Sequence, residues 1–214
     1  MKTEVEKTHE IIGDIPYMTL KQALYVDNLI KTNDLENLLE LGFMYGVSSS
    51  YMASSLKELG RGHLTTIDLK VGKKRDPNIE MLLNKLDLSD YVTIYYEDTS
   101  YTWRLMKFLE ENTEPIFDFC YIDGAHDWFT DGFAFLLVDK LLKPGGWVIF
   151  DDMFWTHSTS PYWRDKPETL AMPYEERTTP QVKKVYDLLV KRNPDYCNFE
   201  IMDSWGIAQK KFKY

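Results

Sequence analysis

Between Phe117 and Asp152 the chain reads FDFCYIDGAHDWFTDGFAFLLVDKLLKPGGWVIFDD. Phe117, Phe119, Tyr121 and Ile122 form one short apolar run of β-forming residues, and Trp147 to Phe150 form another. Between them, Trp128 to Leu142 carries apolar residues at helical spacing and closes on Lys-Pro-Gly-Gly. Strand, helix, strand is the crossover unit of a parallel sheet. The same pattern recurs upstream. Helices are predicted over Thr19–Lys31 (capped by Thr19), Val47–Leu59 (ending at Gly60), Asn78–Leu86 and Tyr101–Glu111. They alternate with strands at Leu38–Leu41, His63–Leu69 and Tyr91–Tyr96. Downstream, a helix over Pro180–Arg192 precedes Phe199–Asp203 and Ile207–Phe212, which flank Ser-Trp-Gly as a terminal hairpin. The sum is an α/β sandwich with an antiparallel ending.

Two stretches lack a period. Residues 1–18 begin polar and are expected to be a flexible or partner-dependent arm, leaving 19–214 as one domain. Residues 153–179 are rich in Trp, Tyr, Pro and Thr, too long for an inert connection, and are expected to be a binding loop or lid.

Chemistry gathers where the predicted strands end. In open parallel sheets ligands sit outside the carboxyl ends of the strands, and here each end is acidic. Glu40 precedes a turn, Gly42-x-x-x-Gly46, that opens a helix at Val47 and Ser48. The glycines admit a ligand close to the backbone, and the helix N-terminus offers free N–H groups. Neither a dinucleotide fingerprint nor a phosphate-binding Gly-Lys-Ser/Thr is present. Glu40 would repel a pyrophosphate but suits an amine. Asp68, at the end of the second strand, suits a ribose diol, and Asp98, at the end of the third, suits an adenine amino group. A ligand with ribose, adenine and a positive charge fits all three. Asp123, Asp151 and Asp152 crowd the ends of the next two strands with His126 between them. Three carboxylates with no cation would repel, which favours a metal.

Charge excludes some partners. The 25 basic residues against 34 acidic ones give −9, and the basic runs Lys70–Arg75 and Lys210–Lys213 are short and read as solvated faces. A nucleic acid or an acidic membrane is therefore not expected. Two cysteines, Cys120 and Cys197, fit a reducing compartment. With no apolar run long enough for a membrane span and no signal-peptide pattern, a cytoplasmic protein is expected.

Taken together, ELGxxxG, TTIDL, EDTS, FDFCYIDGAH and LLKPGGWVIFDD resemble the class I S-adenosylmethionine-dependent methyltransferases over about residues 19–152. Within that class the chain is similar to the metal-dependent O-methyltransferases of the catechol and caffeoyl-coenzyme-A type, and to the macrocin-type sugar enzymes. The resemblance implies a Rossmann-like three-layer sandwich with a mostly parallel seven-stranded sheet. It also implies S-adenosylmethionine as cofactor, with Glu40, Gly42, Gly46 and Ser48 at its methionine part, Asp68 at its ribose and Asp98 at its adenine. Asp123 would lie beside the cofactor and, with Asp151 and Asp152, hold a divalent metal, Mg²⁺ first among the candidates. The catechol-type enzymes have Asp-Asn where this chain has Asp151-Asp152. At the offset of His126 those enzymes carry Lys and the sugar enzymes His, which makes His126 the expected general base, with Asp127 as a partner for its ring. The acceptor would be a small hydroxylated molecule, sugar-like or phenolic, walled by Phe154, Trp155, Tyr162 and Trp163. His157 is a substrate-side or surface residue on this reading, and a homo-oligomer is compatible with the class. Alternatives stay open: helix capping or support of Asp123 for His126, capping alone for Asp98, a metal-independent enzyme, a cofactor-binding protein without turnover and, more distantly, an NAD-linked oxidoreductase.

Overall fold

A computed structural model describes residues 2–212. Met1, Lys213 (the end of the basic run) and Tyr214 lie outside the described residues, so the ranges 1–18 and 19–214 are described only in part. The parallel core is β1 (Asn37–Leu41), β2 (His63–Leu69), β3 (Val92–Glu97), β4 (Phe117–Ile122) and β5 (Leu142–Phe150). An antiparallel pair, β6 (Tyr196–Met202) and β7 (Trp205–Lys210), completes a seven-stranded sheet in the order β3-β2-β1-β4-β5-β7-β6. β1 pairs in parallel with both β2 and β4, so the strand order reverses there and opens a crevice between the β1 and β4 ends.

Alternation along the strands divides the core. Leu38, Phe119, Tyr121 and Ile149 face one side, packed by α1 (Glu4–Ile12), α2 (Leu20–Thr32), α3 (Val47–Leu59) and α4 (Ile79–Leu86). Leu39, Leu41, Cys120 and Phe150 face the other, under α5 (Tyr101–Glu111), α6 (Trp128–Leu141) and α9 (Gln181–Val185). Residues buried on both faces explain why the strands read as continuous apolar runs. Two short helices, α7 (Pro167–Ala171) and α8 (Tyr174–Thr178), lie in the 153–179 stretch. A π-helical turn, Tyr186–Val190, continues α9. Among the described residues no helix is long and apolar enough to cross a membrane.

Three expectations are corrected. The start of the chain, expected as a flexible or partner-dependent arm, carries a packed helix: α1 is closed by a Thr3/Glu6 capping box and buries Val5, Thr8 and Ile12, with Thr8 hydrogen-bonded to Ser54 of α3 at 2.6 Å. The terminal hairpin turns at Asp203–Ser204, and Trp205 sits fully buried in β7 rather than in the turn. Lys210 is not on a solvated face; it is buried, and its ammonium donates to the Asp139 and Leu142 carbonyls.

Candidate active site

The first turn, after β1, is closed from inside. Gly42 has φ +86°, its N–H donates to the Ile67 carbonyl at 2.8 Å, and a Cβ there would overlap the carbonyl oxygen of Asp123. Only glycine lets the β1 and β4 ends approach this closely. Gly46, at φ +91°, is the N-cap of α3 and contributes no side-chain bond. Glu40 is fully buried, and its carboxylate accepts from the Ser48 hydroxyl at 2.5 Å, from Ser49, and from Thr66 at 2.6 Å. Burial raises its pKa to about 7 against the opposing pull of the three hydroxyls. Both oxygens are therefore engaged by the chain itself. In this arrangement the Glu40 carboxylate ties β1 and β2 to the first turn of α3.

Asp68 is held in a similar way. It accepts from the N–H groups of Met44 at 2.9 Å, Phe43 at 3.3 Å and Leu69 at 2.6 Å, with Arg75 Nη1 at 3.4 Å. Asp98 differs: its side chain is 74% exposed and pairs with Lys70 at 2.6 Å. It does not cap α5, since Ser100 does so through Thr102 N–H.

The β4 and β5 ends carry the second group. Asp151 is buried and accepts from the Tyr121 hydroxyl, from Ser204 Oγ at 2.9 Å and from Asp152 N–H at 2.6 Å. Asp152 and His126 both take left-handed backbone, φ +55° and +59°. For residues other than glycine this costs about 1–2 kcal/mol and clusters at functional sites. The outcome is that ligand atoms of Asp123, His126 and Asp152 lie within 4.8 Å of one another. Of the expected set, Asp151 is turned toward Tyr121 and Ser204, and the His126 imidazole lies with Asp123 and Asp152. His126 Nε2 is 3.7 Å from Asp152 Oδ2, and its ring lies 5.1 Å from that of Trp155.

Electrostatics set this group apart. Among the described residues no lysine or arginine pairs with Asp123, Asp151 or Asp152. Burial, then the charges of Asp151 and Asp152, push the Asp123 carboxyl well above the usual range. Burial and Asp151 raise Asp152 to about 6. Burial lowers the His126 pKa despite nearby Asp131 and Asp151, which favours the neutral imidazole. Asp127 does not orient that ring; it caps α6, accepting from Thr130 N–H at 2.5 Å.

Of the four aromatic residues expected to wall an acceptor, Trp155 contacts His126, whereas Phe154, Tyr162 and Trp163 are exposed. His157 lies 4.8 Å from the Trp155 ring, and both its ring nitrogens are buried without a partner. A groove of about 430 Å³ between α6, α8 and α9 is lined by Trp128, Phe129, Glu175, Glu176, Gln181 and Lys184 among others. Sequence reasoning missed Tyr121 and Asp131. Asp131 had a signal, an acid three and four residues before buried Ala134 and Phe135 on one helical face.

A sheet ordered 3-2-1-4-5-7-6, a glycine turn after its first strand and acids along its carboxyl edge define a Rossmann-like methyltransferase architecture. A family model described as a methyltransferase domain matches residues 39–153, more than half of the chain, and the chain belongs to that family. Solved structures share the fold. A protein of Staphylococcus aureus, provisionally named a caffeoyl-CoA O-methyltransferase, is 23% identical with a TM-score of 0.67, covering 98% of this chain and 93% of its own. An O-methyltransferase of Bacillus cereus in complex with SAH is 20% identical, TM-score 0.67, with 99% and 92% covered. The O-methyltransferase TomG of Streptomyces achromogenes, in complex with SAM, is 18% identical, TM-score 0.65, with 99% and 91% covered. Among curated proteins no match is found.

Proposed function

We propose that this chain transfers a methyl group from S-adenosylmethionine to a hydroxyl of a small acceptor, using a divalent cation held by Asp123, His126 and Asp152. The observation that carries this reading is the triad itself: two carboxylates and an imidazole within 4.8 Å, with no lysine or arginine partner among the described residues. Mutual repulsion and burial make that grouping costly without a cation. Oxygen donors suit Mg²⁺ or Mn²⁺, and the imidazole nitrogen tilts the choice toward Mn²⁺. SAH or SAM in two of the structures that share the fold supports the cofactor.

The cofactor is assigned to the crevice between the β1 and β4 ends. Gly42 keeps the backbone low there, and the N-terminus of α3 borders it. Asp98, exposed and paired only with Lys70, is free to exchange that partner for an adenine amino group. Asp68 reaches a ribose only by sharing its present N–H partners. When bound, a divalent cation lowers the pKa of a coordinated hydroxyl and orients it. Trp155 supplies a flat wall for a ring, and His157, with two unpartnered nitrogens, is assigned to the acceptor's polar edge. The chain's remaining contribution is alignment.

A second reading is favoured by the lowered pKa of His126. In it the imidazole is the general base of a metal-independent enzyme. Incubation with S-adenosylmethionine and a panel of sugars and phenols, following S-adenosylhomocysteine release with Mn²⁺ and with EDTA, separates the two. Release stopped by EDTA supports the cation reading, and release indifferent to EDTA supports the second.

A further inference from the structure

The loop that joins Asp123 to His126 rests on two side chains that take no part in the cation set. Tyr101, at the start of α5, donates its hydroxyl hydrogen to Oδ1 of Asp131, in the first turn of α6. The Ala125 N–H donates to the Tyr101 hydroxyl oxygen at 3.2 Å and reaches the same Asp131 oxygen at 3.4 Å. Gly124 packs against the hydroxyl end of Tyr101, where a Cβ would overlap Cε1, Cζ and the hydroxyl oxygen. Tyr101 and Asp131 are 7% and 1% exposed. The Gly124–Ala125 dipeptide is thus clamped between two helices, with Asp123 on one side of it and His126 on the other.

Two costs call for an explanation. A carboxylate this deeply buried, with no lysine or arginine pairing with it among the described residues, is expensive unless its hydrogen bonds do something a leucine could not. His126 holds a left-handed φ of +59°, a conformation that persists only where the surroundings over-determine it. The Tyr101–Asp131 clamp provides that over-determination: it fixes the peptide N–H immediately before the strained residue.

We propose that Tyr101 and Asp131 are positioning residues, which hold the Gly124–Ala125 backbone so that Asp123 and His126 meet Asp152 at ligand distance. This rests on the cation reading above. Outer partners of this kind typically set metal affinity by about 10–100-fold.

The test is a Mn²⁺ titration, followed by the electron paramagnetic resonance of free Mn²⁺, on the full chain saturated with S-adenosylhomocysteine. Wild type is compared with Tyr101→Phe, which keeps the ring under Gly124, and with Asp131→Asn. S-adenosylhomocysteine affinity and Tm are read on the same samples. The expected result is a Mn²⁺ affinity lower by about 10–100-fold with cofactor-product affinity within about twofold. Unchanged Mn²⁺ affinity in both variants would overturn the proposal. So would a parallel loss of Mn²⁺ affinity, S-adenosylhomocysteine affinity and Tm, which marks a purely structural role. A wild type that takes up no Mn²⁺ overturns the cation reading and this inference with it, and is recognised before any variant is made.

Discussion

The two ends of the carboxyl edge use the same residue types to opposite effect. At β1 and β2, the acceptors of Glu40 and Asp68 are satisfied by their own chain, through three hydroxyls in one case and three N–H groups with Arg75 in the other. At β4 and β5, Asp123 and Asp152 lie beside His126, and no lysine or arginine among the described residues pairs with them. An acid at a strand end is therefore not in itself a ligand site. What distinguishes one is the donors left over after the chain has satisfied its own groups. Asp151 makes the point within a single dipeptide: it follows the first pattern while its neighbour Asp152 follows the second.

The comparison breaks most completely where the two regions touch. Gly42→Ala places a Cβ on the Asp123 carbonyl at a left-handed φ, and is expected to cost about 3–4 kcal/mol from overpacking plus strain. Urea denaturation reads this directly.

Glu40→Gln sharpens the comparison from the self-satisfied side. The folded carboxyl, at about 7 against an ordinary 4.5, keeps its proton to higher pH than the unfolded chain does. The folded state therefore binds more protons in that window, and stability falls as pH rises from about 4.5 to about 7, by on the order of 2–3 kcal/mol. Gln does not titrate, so denaturation of the cofactor-free variant across that range is expected to lose this slope.

Tyr121→Phe removes one donor from Asp151 and is expected to cost about 2 kcal/mol, the usual loss for a hydrogen bond to a buried charge. The same denaturation curve measures it. Asp98→Ala, by contrast, loses only an exposed ion pair with Lys70, worth less than about 1 kcal/mol. Its expected signature is weaker S-adenosylhomocysteine binding in calorimetry, by about tenfold, with stability nearly unchanged.

The fold was largely legible because local signals agreed with one another. Gly46 and Gly60 bracket α3, Thr19 with Gln22 caps α2, and the apolar runs of β1 and β4 are buried on both faces. α1 was not, because its apolar buried positions are only Val5 and Ile12, diluted by Glu, Lys and His, and its burial comes from α3. In the site, the clustering of acids was legible while their directions were not. Whether Asp151 or Asp152 turns inward depends on Tyr121, one strand away, and on Ser204, in the terminal hairpin. That the His126 ring lies beside Asp123 and Asp152 depends on its left-handed backbone, which no residue type announces. Partners distant in sequence decide which polar groups are left free.

The central claim is that the uncompensated acids of β4 and β5, with His126, hold a divalent cation. Its most direct test is a calorimetric titration of Mn²⁺ into the S-adenosylhomocysteine complex of wild type and of Asp152→Asn. One Mn²⁺ per chain is expected in wild type, and an affinity at least about tenfold lower in the variant. No uptake by wild type, or equal uptake by both, would contradict it.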